Sequence, residues 1–288
     1  MLLVGKPETF ESKEIIKYLR IKKAVFNFLS WSQIRQPMDY SEYKLMIIRT
    51  PPPLRFKDMP ILLLTLIEEA EEQGLKVIPS SESLRKCDKL TLYSLIKKRE
   101  PSVKIAPTIL TSNENEIKRF IDYHKTVVCK PLIGGGGRGV FKIKAGSMKL
   151  IKNRLKTDGY VLIQKFIENL GYDIRTVIIG EDVVSQYARM NAKDFRYNIH
   201  LGGISCSRSD FIANNPSASR FFKESENIAK KIKTVLGLEM CGVDTLPGAD
   251  GETYFLEANP FFGFKGAFEK VGDKIADYLC RVEKTYFR

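Results

Sequence analysis

The 288 residues are 43% hydrophobic and 28% charged with a formal charge of +13, the balance of a soluble globular chain sized for two or three compact units. No N-terminal run has signal-peptide form and residues 61–67 are too short an apolar run to span a bilayer, so a membrane role is excluded and a cytoplasmic location is expected. The five cysteines contain no C-x-x-C, and His124 and His200 are the only histidines, which excludes a disulfide framework, a zinc site and a histidine-rich metal centre.

Residues 1–85 read as a small α/β unit. Segments 24–29 and 43–49 have strand character, and Met46-Ile47-Ile48 is a continuous apolar run of the kind that lies inside a parallel sheet. Residues 58–73 form a helix with Asp58 as N-cap, Pro60 in the first turn and Gly74 past the end, and 76–79 returns to strand. The corner Arg49-Thr50-Pro51-Pro52-Pro53, with Arg55 beyond it, is either a rigid surface loop or the border of a site.

The second unit covers 86–159. Asp88 caps a helix over 89–98, 107–110 is strand, 115–124 is a helix ending at His124, and a further helix covers 147–156. Lys89 in a first helical turn opposes the helix dipole, which suggests a phosphate ligand there or simply a solvated lysine. Between the last two helices a β-branched run reaches Lys130. It is followed by Gly134-Gly135-Gly136-Gly137-Arg138-Gly139 and a second strand-like run through Val140 and Ile143.

Successive glycines let backbone N–H groups surround an anion with no Cβ in the way, so this hairpin loop suits a polyphosphate; a flexible hairpin tip has the same composition. Gly134, Gly136 and Gly139 also satisfy G-x-G-x-x-G, but that fingerprint needs a helix after it and here a strand follows. A Walker A loop is excluded because no Gly-Lys-Ser/Thr occurs, and a protein-kinase flap because no His-Arg-Asp or Asp-Phe-Gly lies downstream.

The third unit, 160–288, opens with strands at 160–166, 173–179 and 183–190, the last two joined by a Gly180-Glu181-Asp182 turn. Asp194-Phe195-Arg196-Tyr197-Asn198 lies in a loop ahead of a Gly202-Gly203 bend. Asn215 as N-cap and Pro216 as first helical residue start a long amphipathic helix that ends at Gly237. Strands at 240–246 and 253–259 then flank a turn rich in proline and glycine. Glu257 and Asn259, two apart, share a strand face on which Phe255 precedes them, and Asp244 on the partner strand comes opposite or diagonal to Glu257. Two carboxylates and an amide oxygen form a hard-oxygen set suited to Mg²⁺, although a solvated hairpin face also carries such a pair.

Taken in order, Asp88-Lys89, Lys130-Pro131 with its glycine loop, Gln164-Lys165-Phe166-Ile167-Glu168, Asp173-Ile174-Arg175, Asp194-Phe195-Arg196-Tyr197-Asn198, Val243-Asp244 and Leu256-Glu257-Ala258-Asn259-Pro260 resemble an ATP-grasp ligase. The resemblance is greatest to the RimK-like α-L-glutamate ligases and runs from about residue 85 to 270. It implies an ATP-grasp fold, in which a small N-terminal α/β domain precedes two α+β subdomains that clamp ATP.

The resemblance also implies roles. Lys89 and Lys130 would contact ATP, and the backbone of Gly135, Gly136 and Gly137 would cradle its phosphates. Lys165 and Phe166, beside Gln164, would form the hinge at adenine, with Asp173 near the ribose. Arg196 and Asn198 would hold the γ-phosphate and the acyl phosphate made from it; Asp244, Glu257 and Asn259 would bind Mg²⁺ or Mn²⁺; Arg175 and Arg189 would take the carboxylates of substrate and incoming amino acid. Three departures from the family pattern are Gly135-Gly136 where Gly-Ser is common, Lys165 where an acid is common, and Phe261-Phe262-Gly263-Phe264 where Pro-Gly is common.

The implied reaction adds an amine, in the first instance L-glutamate, to the carboxylate of a pterin or deazaflavin cofactor or of a protein, and a homo-oligomer is expected by analogy with the family. An ATP-grasp kinase acting on a hydroxyl is the rival within enzymes. From another class, the positive charge would draw nucleic acid as readily as ATP or acidic peptides, but no RNP, KH or helix-turn-helix pattern is present, so that reading ranks below.

Overall fold

The computed structural model describes residues 1–35, 37–52, 59–132, 134, 136–144 and 148–286. Gly135 of the glycine loop, the expected cap Asp58, Pro53, Arg55 and Ser147 lie outside the described residues. The chain runs β1 (Leu2–Gly5), α1 (Phe10–Ile21), β2 (Asn27–Ser30), β3 (Leu45–Ile48), α2 (Met59–Glu72), β4 (Lys76–Ile78), α3 (Ser81–Arg85) and α4 (Lys89–Arg99). It continues with β5 (Thr108–Thr111), α5 (Glu114–His124), β6 (Thr126–Lys130), β7 (Phe141–Lys144), α6 (Lys149–Asp158), β8 (Val161–Lys165), β9 (Tyr172–Ile179) and β10 (Asp182–Met190). The last elements are β11 (Ile204–Ser207), α7 (Arg208–Asn214), α8 (Ser219–Leu236), β12 (Met240–Pro247), β13 (Thr253–Asn259) and α9 (Val271–Tyr286).

Among the described residues the strands form three sheets. The N-terminal one is parallel, in the order β2-β1-β3-β4. Its central strands are apolar throughout because both faces are covered: α1 packs Ile15 and Leu19 against Leu3, Leu45 and Ile47, while α2 packs Leu66 and Ile67 against Leu2, Val4 and Met46. The other two are antiparallel, β5-β8-β6-β7 with α5 and α6 on one face, and β11-β10-β9-β12-β13 with α8 on one face. The glycine loop joins β6 to β7 as a hairpin, as the strand after it requires.

Three expectations are corrected. The strand read as opening the third unit is β8, and its backbone hydrogen bonds go to β5 and β6, so it belongs to the sheet of the glycine hairpin. Asn215 does not cap the long helix: it sits at φ −140° and ends α7, Pro216–Ala218 form a 3-10 turn, and α8 starts at Ser219. The helix α4, read as part of the second unit, packs Leu92 and Ile96 with Ile228, Ile232 and Phe255 of the third. The sequence reading also gives no bounds for β1, α1, α3, β11, α7 and α9, although Val271, Ile275, Ala276 and Leu279 of α9 are a buried helical stripe.

The five-stranded sheet positions the site. On β9, Ile174, Thr176 and Ile178 face α8, whereas Asp173, Arg175, Val177 and Ile179 face the other way. That second face is apolar at Val177 and Ile179, where α9 and α1 cover it, and ionic at Asp173 and Arg175, where the cleft begins.

Candidate active site

Strand register builds the floor of the cleft. Tyr187 pairs with Arg175, Arg175 with Asp244, and Asp244 with Glu257, so one row across β10, β9, β12 and β13 carries these side chains. Two residues along, Arg189 pairs with Asp173. Arg189 Nε and Nη2 donate to the two oxygens of Asp173 at 2.8 and 2.6 Å, and Nη2 lies 2.9 Å from Asp244 Oδ2. Arg175 donates through Nε and, at 2.8 Å, through Nη2 to Asp244, and its Nη1 reaches the Gly263 carbonyl at 3.3 Å.

Asp173, Arg175, Arg189 and Asp244 are each 5% exposed or less. Burial alone would push the Asp244 carboxyl up, but the two guanidiniums hold it below the usual carboxylate range. The sequence reading sends Asp173 to a ribose, Asp244 to a metal and both arginines to substrate carboxylates. The structure instead commits them to one another, because a lone charge at this depth would be costly. They form the base of the site, and exchange of a partner is needed before any of them meets a ligand through the paired atoms.

The glycine hairpin forms the roof. Gly136 and Gly137 have φ of 69° and 70°, and a Cβ on them would stand 2.7 Å from His200 Cε1 and 2.8 Å from Asn198 Oδ1. Arg196 pins the loop: Nη1 donates to the carbonyls of Gly137 and Val140 at 2.9 and 3.2 Å. Its Nε and Nη2 hold Asp194 at 3.0 and 2.6 Å, and these hydrogen bonds keep the Asp194 carboxyl low. Lys89, first residue of α4 behind its cap Asp88, is buried and sends Nζ to the Gly134 carbonyl at 3.2 Å. Lys130 donates to Gln164 Oε1 at 2.6 Å, and burial lowers it to about 8 against the opposing pull of Glu257.

Between roof and floor lies an inner pocket of about 120 Å³, lined on its apolar side by Ala106, Val128, Phe166, Ile167, Leu246 and Leu256. Lys142 Nζ stands 3.4 Å above the Phe166 ring. The hinge departs from expectation in its donors. The N–H groups of Lys165 and Phe166 are already given to the carbonyls of Pro107 and Thr126 at 2.8 and 3.0 Å, because β8 is paired on both sides here. Gln164 is likewise consumed, by Lys130 and by Thr108 Oγ1 at 2.8 Å. What this segment offers a base is the Phe166 ring and the apolar wall.

The inner pocket opens into an outer cleft of about 800 Å³; Lys89, Gly134, Arg138, Arg189, Asn198 and Glu257 border both. The glycine turn and the carboxylates of β12 and β13 therefore face one space. Glu257 and Asn259 stand at its margin, with Asn259 Nδ2 donating to Glu257 Oε1 at 3.0 Å. That leaves Glu257 Oε2 and Asn259 Oδ1 as hard acceptors, a set that fits Mg²⁺ completing its shell with water and phosphate oxygen; Asp244 stands directly opposite Glu257, held by its arginines. Phe255 is not on this face. A bulge lies between Asp244–Glu257 and Thr245–Phe255, the extra residue is Leu256, and Phe255 turns with Ala258 into the core under α8.

Sequence reasoning passed over the outer wall: Lys6, Thr9, Glu11, Tyr187, His200 and Lys265 line it. None stands in a motif. Two stretches carried a signal: Thr50, Pro51 and Pro52 of the Arg49–Pro53 corner border the cleft, and so do Phe261, Phe262 and Gly263 of the stretch that departs from the family pattern.

Two antiparallel α+β units closing on a cleft with a glycine hairpin above and carboxylates below are the ATP-grasp arrangement. Residues 86–282 match the RimK-like ATP-grasp domain, and the chain belongs to that family. It is 28% identical over 218 residues to a glutathione synthetase of Vibrio parahaemolyticus, covering 73% of this chain and 64% of that protein. It is 28% identical over 190 residues to a tetrahydromethanopterin:α-L-glutamate ligase of Methanocaldococcus jannaschii, 62% of this chain and 61% of that one. Among solved structures, the ATP-grasp ligase PsnB complexed with minimal precursor, Mg and ADP superposes with a TM-score of 0.70 at 19% identity, covering 97% of this chain and 96% of that one.

Proposed function

We propose that this protein is an ATP- and Mg²⁺-dependent carboxylate–amine ligase that joins L-glutamate to an acceptor acid of cofactor or peptide type. The observation that carries the reading is the single cleft shared by the glycine hairpin and by Glu257 and Asn259, with the Arg175 and Arg189 row as its floor. The relatives' names, a synthetase and a glutamate ligase, support it.

A carboxylate is a poor electrophile, so the γ-phosphoryl of the substrate ATP is first transferred to it, giving an acyl phosphate and ADP. An amine then attacks the acyl carbon; the C–N bond forms, the C–O bond to phosphate breaks, and the amine loses its proton. Positioning and charge neutralisation carry most of the rate. In this reading Lys89, Lys130 and the glycine loop hold the polyphosphate, and Phe166 packs on the base. Arg196 and Asn198 face the transferred phosphoryl, Arg196 exchanging its loop carbonyls for phosphate oxygens. Glu257 and Asn259, joined by Asp244, hold Mg²⁺ or Mn²⁺, which when bound neutralises phosphate charge. Arg175 and Arg189 lie on the acceptor side. Among the described residues no helix is long and apolar enough to cross a membrane, and a cytoplasmic supply of ATP suits the reaction.

The test is ADP release from MgATP across a panel of acids and amino acids, with product mass. The reading requires ADP to depend on both an acid and an amine and a product with the mass of an amide. ADP formed with a hydroxyl substrate and no amine would make the protein a kinase. Salt-sensitive oligonucleotide binding without saturable MgATP binding would remove both.

A further inference from the structure

The N-terminal sheet contributes a wall to the outer cleft. Its strand order, β2-β1-β3-β4, changes direction between β1 and β3. In open parallel sheets the crevice beyond the carboxyl ends of the strands at such a switch point is the ordinary place for a ligand. Here the residues leaving β1, Lys6, Thr9 and Glu11, and those leaving β3, Thr50, Pro51 and Pro52, line the outer cleft together with Lys265.

Charge at this end is uneven. Lys6 and Lys265 have no side-chain partner among the described residues. Arg49, first residue past β3, lies one layer deeper and is 2% exposed. Its Nη2 donates to the Phe262 carbonyl at 2.8 Å, the Phe262 ring lies 5.1 Å away, and Nε has no acceptor. Burial lowers its hold on the proton to about 10, and the charge acting against this is Glu11. Glu11 is itself engaged, accepting from the Phe264 N–H at 3.3 Å. Three cations therefore stand against one carboxylate. A buried guanidinium with an orphan N–H is expensive to keep, and an anion taking the place of the Phe262 carbonyl would satisfy Nε and Nη2 together as a fork.

We propose that the switch point of the N-terminal sheet is an anion subsite in which Arg49, Lys6 and Lys265 hold a second carboxylate of the acceptor, so that this enzyme selects diacids over monoacids. The proposal rests on the ligase reading and names the substrate class of that site.

Calorimetric titration of the full chain, saturated with MgAMP-PNP so that the nucleotide's phosphate-binding groups are occupied, tests it. The titrants are dicarboxylates from succinate to adipate and their monoamides. At least one diacid is expected to bind about tenfold tighter than its monoamide, the scale of a charged hydrogen-bond pair. Lys6→Ala, Lys265→Ala and Arg49→Lys are each expected to shrink that ratio severalfold. Equal affinities, no saturable diacid binding, or an unchanged ratio in both lysine variants overturns the subsite. The lysine variants decide the matter even if Arg49→Lys fails to fold. ADP formation from MgATP with the same acids and hydroxylamine is read in parallel. ADP without diacid preference removes the subsite alone; diacid preference without ADP removes the ligase reading alone.

Discussion

On the five-stranded sheet, Asp173, Arg175, Arg189 and Asp244 are buried and neutralise one another; on the antiparallel four-stranded sheet β5-β8-β6-β7, Lys130 rests on the Gln164 amide and Lys142 on the Phe166 ring. The floor is thus complete before any ligand arrives, with its geometry set by two-pronged ion pairs on adjacent strands. On the roof Lys130 and Lys142 have no carboxylate partner among the described residues, and the loop of left-handed glycines is pinned by Arg196. A polyanion would add little to the floor and much to the roof. The difference teaches which half orients the chemistry and which half waits for charge.

The largest effect is expected on the floor. Asp244→Ala leaves two buried guanidiniums short of a partner and is expected to cost about 3–5 kcal/mol of stability, read by denaturant titration. A cost near zero would mean that the floor is not held by these pairs. Next, Glu257→Ala and Arg196→Ala are expected to lower the rate at least about a hundredfold with a much smaller effect on folding, measured as ADP release against melting temperature. Near-normal turnover in both would end the assignment of the cleft.

On the roof, Gly137→Ala forces a side chain into a left-handed position 2.8 Å from Asn198 Oδ1. A penalty of about 1–2 kcal/mol follows, seen as roughly tenfold weaker MgATP binding. Lys130 gives a pH signature. Its lowered value of about 8 means that above this pH the unfolded chain binds the extra proton. Stability of the ligand-free protein therefore rises with pH between about 8 and the free-lysine range, while the charge offered to a polyphosphate is lost. Nucleotide affinity is expected to fall as pH passes about 8, and Lys130→Met to abolish that fall. The smallest effect belongs to the exposed pair Lys152–Glu114 at 3.3 Å, where Lys152→Ala is expected to stay within about 0.5 kcal/mol. A larger change would show that the helix layer behind the roof is coupled to the site.

The hairpin at the glycine loop, the facing of Asp244 and Glu257, and the Asp88 cap of α4 were all legible in the sequence. Each depends on neighbours a few residues apart: period-two alternation, a turn between two runs, a carboxylate ahead of an apolar helix. The order of short polar motifs was legible for the same reason and carried the family. The bulge at Leu256, which turned Phe255 into the core, was invisible because a bulge is decided by the partner strand. The assignment of β8 to the roof was invisible too, since its register partners, from Lys130 opposite Leu162 to Thr108 opposite Gln164, lie 32 to 56 residues away and backbone hydrogen bonds carry no sequence signature.

The sequence by itself determined many of the elements, the motifs and the inventory of oxygen and cation side chains, because those follow from local periodicity and residue chemistry. Tertiary structure alone decided how the charges are spent. That Asp244 lies between two arginines, and that Arg49 is left with an orphan N–H, depends on strands and loops brought together from across the chain and on the cost of leaving a charge unpaired where water is excluded.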